Sequence, residues 1–151
     1  MTLGGPLTDL LNLPGQPVDP LGEQILDAAL ARFIEYGIRR TKIEDIAQAA
    51  GLNRVTIYRR FTDRSGLIKA TIAREAIRTM AAVTAAVTDI GDPQDRLVEA
   101  FVIGARLVRN HPLLDRLLRS EPEEIAIHLT INGAPVITAM RTIITQQYRP
   151  T

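Results

Sequence analysis

At 151 residues, with 46% hydrophobic side chains and a formal net charge of +1, the chain can bury a sizeable core as one domain, or as a small head on a helical body. It has no Cys and only two His, which excludes disulfides and thiolate metal sites, argues against a metal cluster, and fits a reducing, cytoplasmic setting. No apolar run is long enough to cross a membrane, the N-terminus lacks a basic segment followed by an apolar stretch, and the near-neutral total excludes a generic polycation.

Residues 1–20 hold Gly4, Gly5, Pro6, Pro14, Gly15, Pro17 and Pro20, a density of breakers that predicts a flexible N-terminal arm. The arm carries two acids and no Lys or Arg, so it lacks the charge of a minor-groove arm. A first helix is expected from Leu21 to Tyr36, ended by Gly37. Ile25, Leu26, Ala29, Leu30 and Phe33 form its apolar stripe, and Glu23, Asp27 and Glu35 are assigned to water.

From Thr41 to Arg64 the sequence TKIEDIAQAAGLNRVTIYRRFTDR reads as two short helices around a tight turn. Thr41 and Glu44 match a capping box. Ile43, Ile46, Ala47 and Ala50 recur at helical spacing, and Gly51 suits the left-handed residue that ends a helix. Asn53 is a good cap for the second short helix. There Ile57 and Phe61 share the inward face, leaving Val55 and Arg59 on the opposite side with Tyr58 beside them and Arg54 in the first turn. This is the helix-turn-helix pattern, whose second helix enters the DNA major groove.

A long helix is expected from about Arg64 to Thr88, with Ile68, Ile72, Ala76, Met80, Val83 and Val87 near one side. Pro93 begins the next, whose apolar face is read as Leu97, Phe101, Ala105 and Val108, up to His111–Pro112. Leu113, Leu114, Leu117 and Leu118 make a short apolar helix. Another starts after Ser120, is interrupted at Gly133 and Pro135, and resumes from Val136 to Tyr148. No strand pattern or repeat survives. The fold class is all-α: a three-helix DNA-binding head with a helix-turn-helix (21–63), joined by a long helix to a helical C-terminal body (64–151).

Charge supports that division. Between Ile38 and Ala70 eight Lys or Arg stand against three acids, whereas from Thr71 onward there are nine of each sign. Positive charge is concentrated where a phosphate backbone would need it. Arg54 or Arg59 can offer paired donors to guanine O6 and N7, and Val55 suits a thymine methyl. Thr56 can bond phosphate. Lys42, Arg60, Arg64 and Lys69 add sequence-independent, salt-sensitive attraction.

The stretch from Ile25 to Leu67 resembles the head of the TetR family of bacterial transcriptional regulators. The resemblance rests on Ala28–Ala29, Phe33, Gly37, Thr41, the DIA of Asp45–Ala47, the AG of Ala50–Gly51, TIYRRF from Thr56 to Phe61, and Leu67. It implies a homodimeric repressor whose body binds a small apolar or amphipathic molecule and then releases a pseudopalindromic operator in double-stranded DNA. It further implies a phosphate contact for the Thr41 hydroxyl, a backbone contact for Tyr58, and base-reading and groove-contacting positions for Arg54, Val55, Thr56 and Arg59. Arg64 stands where the family usually has a phosphate-approaching Lys. Ser65 and Gly66 depart from the family pattern, and the C-terminal part matches no specific motif.

For the effector, Met80, Phe101, His128 and Met140 are the candidate pocket-lining residues. His111 is read as a helix-end residue. Neither His111 nor His128 has a nucleophile or paired carboxylates at supporting spacing, so no enzyme, catalytic residue or cofactor is expected. The competing reading is an all-α ligand-binding or protein-interaction module whose head does not read DNA.

Overall fold

The computed structural model describes residues 20–124 and 126. The arm at residues 1–19, the expected helix at 136–148, and the candidate residues His128 and Met140 lie outside the described residues. Within them the chain is all-α: α1 (Pro20–Tyr36), α2 (Ile43–Ala50), α3 (Arg54–Arg60), α4 (Arg64–Val87), α5 (Pro93–Arg109) and α6 (Pro112–Ser120). Helices α1 to α3 form the head, and the long α4 connects it to the helices that follow.

Local chemistry fixes most of these boundaries. Gly37 and Gly51 end α1 and α2 with φ of 85° and 68°, a region where an L side chain is strained. The Asn53 side chain accepts from the Thr56 N–H at 2.9 Å and starts α3. Asp63 accepts from the Gly66 N–H at 2.7 Å, which explains how a glycine in the first turn of α4 is tolerated. Asp92 accepts from the Gln94 and Asp95 N–H groups, each at 2.9 Å, ahead of Pro93. The expected capping box at Thr41 is corrected. Lys42 is the cap residue, and its N–H donates to the Asp45 carboxylate at 2.8 Å. Thr41 instead faces inward, 1% exposed, and its hydroxyl donates to the Gly37 carbonyl at 2.7 Å.

Helix α1 packs against α2, α4 and α6, and α3 rests on α2. Ile25, Leu26, Ala29 and Phe33 of α1 meet Ile43, Ile46, Ala47 and Ala50 of α2, with Ile57 and Phe61 closing the α3 side. The same apolar cluster runs on into Leu67, Ile68 and Ala70 of α4 and Leu113 and Leu117 of α6. The core of the head therefore includes residues contributed from beyond the helix-turn-helix.

One assignment made from periodicity changes, and another gains partners. On α5 the better-covered side is Leu97, Ala100, Ile103 and Gly104, while Phe101 is 73% and Val108 47% exposed. Both sides of this helix are apolar, so spacing alone does not distinguish them. Glu23 and Asp27 face water as expected, 42% and 64% exposed in their side chains, and both also meet Arg74 of α4.

The Arg74 guanidinium is 6% exposed, 3.1 Å from the Glu23 carboxylate, 2.8 Å from Asp27 and 3.3 Å from Glu75. Arg78 adds a contact to Glu23 at 3.0 Å, and His111 Nε2 lies 3.2 Å from Glu75. Removing the central cation would leave three acids facing one another, although Glu23 and Asp27 can recover hydration. We expect Arg74→Ala to cost about 2–3 kcal/mol, below the 3–5 of a fully buried broken pair. Urea denaturation measures this, and a loss under about 0.5 kcal/mol would show the network to be energetically idle.

Candidate nucleic-acid interface

The outward side of α3 follows from what its inward side must do. Ile57 is 0% exposed and Phe61 4%, and anchoring these two turns the intervening residues to solvent. Val55 is 55% and Tyr58 47% exposed, with Arg54, Arg59 and Arg60 exposed around them. An exposed Val and Tyr between arginines leave much of their apolar surface facing solvent. The surface they make is one that a groove could accept.

The individual side chains differ in readiness. Arg59 makes no ion pair among the described residues. Arg54 lies 3.6 Å from Glu44 of α2, with both side chains more than half exposed; such a pair is worth at most about 1 kcal/mol and yields readily to a stronger partner. The Thr56 hydroxyl is 3.0 Å from the Asn53 side-chain oxygen, so it helps to close the cap of α3. Lys42 and Lys69 are exposed at the starts of α2 and α4, flanking the reading helix in sequence on either side.

Two expected phosphate contacts sit differently. The Thr41 hydroxyl is buried and committed to the Gly37 carbonyl, with the Arg32 carbonyl 3.2 Å away, so it is not presented to a ligand. Arg64 turns back into the head, donating to the Ile38 carbonyl and to the Thr41 carbonyl at 3.3 Å. Its guanidinium ties the start of α4 to the turn between α1 and α2. Thr41 is buried beneath the surface, whereas Arg64 braces the turn and stays half-exposed.

A further residue escaped sequence reading. Glu121, just past α6, is 5% exposed, and its carboxylate accepts from the Ile38 N–H at 2.8 Å and the Arg39 N–H at 3.1 Å. It lies 83 positions from Ile38, and no local motif marks it. Beside the same turn, Glu35 as hydrogen-bond acceptor and as neighbouring negative charge raises the Tyr36 phenol above its usual pKa, leaving it a neutral donor at physiological pH.

Of the four pocket candidates, Met80 and Phe101 lie among the described residues. Met80 is half-buried, and Phe101 is 73% exposed. Among the described residues no group of three or more His, Asp or Glu could hold a metal ion. No described helix is long and apolar enough to cross a membrane.

Comparison with known proteins bears on this arrangement. Residues 25–71 match the family model of bacterial regulatory proteins, tetR family. An uncharacterized HTH-type transcriptional regulator of Mycobacterium tuberculosis is 34% identical over 92 residues, covering 61% of this chain and 46% of that protein. An HTH-type transcriptional repressor of the same organism is 33% identical over 115 residues, covering 71% of this chain and 61% of that one. The chain thus spans about half the length of the curated relatives it matches. The solved structure of the fatty acid degradation regulator FadR from Bacillus halodurans superposes with a TM-score of 0.66 at 20% identity, over 87% of this chain and 69% of that one, and so shares its fold. The matched residues run from Ile25 in α1 to Thr71 in α4 and contain the whole exposed face of α3. Residues 25–71 therefore form a helix-turn-helix head of the tetR family type of bacterial regulatory proteins.

Proposed function

We propose that this protein is a sequence-specific DNA-binding transcriptional regulator, a homodimeric repressor that leaves a pseudopalindromic operator when a small apolar or amphipathic molecule binds its body. The observation that carries the reading is the exposure of Val55, Tyr58 and Arg59 on the side of α3 opposite buried Ile57, within a strongly basic stretch. Arg59 and Arg54 are the donors for guanine, Val55 the contact for a thymine methyl, and Tyr58 a contact to the backbone. Lys42 and Lys69 supply phosphate attraction, while Thr41 supports the head from inside and Arg64 braces the turn. Repression as the sign of the response is supported by the printed description of one relative as a repressor. Dimerisation and effector binding are assigned to residues 64–151, following the family resemblance.

Selection of bound duplexes from a random pool, together with the mass of the protein in solution, tests the proposal. It predicts enriched half-sites in inverted repeat, about one helical turn or slightly more apart, and a dimer mass. A pool that emerges without enrichment would refute sequence reading, and a monomer on an asymmetric site would refute the dimer. Salt supplies a second prediction. Lys69→Ala should weaken binding to preferred and random duplex alike and reduce the slope of log affinity against log salt by about one. An unchanged slope would remove Lys69 from the phosphate contacts.

A further inference from the structure

The turn between α1 and α2 is held from three directions. Its carbonyls at Ile38 and Thr41 accept from Arg64 of α4. Its Gly37 carbonyl accepts from the Thr41 hydroxyl. Its N–H groups at Ile38 and Arg39 donate to Glu121, which comes from the end of α6. Of these holds, only the last comes from beyond the connecting helix.

The carboxylate fits this place closely. Oε2 lies 2.8 Å from the Ile38 nitrogen and 3.3 Å from that of Arg39, and Oε1 lies 3.1 Å from Arg39. Both oxygens therefore face donors. A Cβ on Gly37 would stand 2.6 Å from Glu121 Oε1, so the absence of a side chain at 37 admits the carboxylate as well as the positive φ. The Glu121 N–H donates to the Leu117 carbonyl at 2.8 Å, and Leu117 is buried in the core of the head. The position of the carboxylate is thereby tied to the seating of α6. The turn carries exposed Arg39, whose guanidinium lies 3.6 Å from Glu124, and then exposed Arg40 and Lys42 just ahead of the first residue of α2.

We infer that Glu121 is a positioning residue for DNA binding: its carboxylate, delivered by the body, fixes the turn that sets where Lys42 and the start of α2 stand. The inference rests on the DNA-binding reading above. Charge-assisted acceptance from two backbone donors is strong and directional, and it acts on a segment that would otherwise have its N–H groups unsatisfied. A shift of α6 moves the acceptor, and the turn must follow or lose both bonds.

Glu121→Gln tests this with almost no change in volume. The amide puts a donor where an acceptor is needed, because neither oxygen position is free of an N–H. Full-length E121Q should bind the selected duplex at least tenfold more weakly than wild type, at a temperature well below its melting transition. The Ile38 and Arg39 amides should exchange with deuterium at least tenfold faster, while those of α1 around Phe33 keep their protection. The Lys42→Ala penalty on random duplex should shrink in the E121Q background, since a misplaced Lys42 has less to lose. Unaltered affinity alongside faster exchange at 38 and 39 would overturn the inference. Loss of protection throughout α1 would overturn it too, by showing a general structural role. Wild-type protein that binds no duplex would instead sink the regulator reading, and this inference with it.

Discussion

Arg59→Ala should lower affinity for the preferred duplex by roughly 10- to 100-fold while changing affinity for random duplex only a few-fold. A bidentate contact to guanine is worth about 1–3 kcal/mol of discrimination, and phosphate attraction supplies the remainder without regard to sequence. Arg59 is exposed and makes no ion pair among the described residues, so its removal should alter stability by no more than about 0.5 kcal/mol. Competition binding with selected and scrambled duplexes separates the outcomes. Equal loss on both would assign Arg59 to the backbone and pass the guanine contact to Arg54, which must first leave Glu44.

Phe33→Ala should produce the opposite pattern, in which preferred and random duplex are lost together. Phe33 is 1% exposed and sits within the continuous cluster joining α1, α2, α3, α4 and α6. Truncating a buried phenylalanine costs about 3–5 kcal/mol, against a total stability of roughly 5–15 kcal/mol for a typical domain. For a protein of this size the melting midpoint should fall by on the order of 10 °C. Circular dichroism would record the transition and filter binding the DNA response. A variant that melts as wild type does would mean that the site collapses around the missing ring, and that the packing near α1 is looser than the burial implies.

The contrast between these variants follows the division between what was legible in the chain and what was not. Helices α1 and α2 were readable because Ile25, Ala29, Phe33, Ile43, Ile46 and Ala50 recur at helical spacing, and Gly37 and Gly51 punctuate them. The outward side of α3 was readable because Ile57 and Phe61 leave one arrangement for Val55 and Arg59. The α4 helix was expected to begin at Arg64, as it does, and ends one residue earlier than expected. Errors arose where local grammar permitted two answers. A threonine three positions before an acid looks like a cap, but Lys42 and Asp45 satisfy the same rule one residue later. The apolar residues of α5 fill two sides, and only packing against α4 separates Leu97 and Ile103 from Phe101 and Val108.

Other features were invisible because their partners are distant in sequence. Arg74 and Glu23 are 51 positions apart, His111 and Glu75 are 36 apart, and Glu121 reaches back further still. A surface-looking acid on α1 becomes half of an ion pair only after α4 has been laid across it. The same reason hid the contacts of Arg64 with the Ile38 and Thr41 carbonyls. Spacing predicts which way a side chain faces along its own helix; it does not report what arrives on the other side.

Leu113 and Leu117 belong to the same apolar cluster as the helix-turn-helix, and this bears on how such a protein can be recombined. A fragment cut after Asp63 would carry away the reading surface but lose Leu67, Ile68, Ala70, Leu113 and Leu117 from its core, together with the acceptor of two backbone amides. A chimaera that grafts these first three helices onto a foreign body therefore inherits a wound unless α4 and α6 travel with them. The unit of exchange is set by shared packing, and it is longer than the motif.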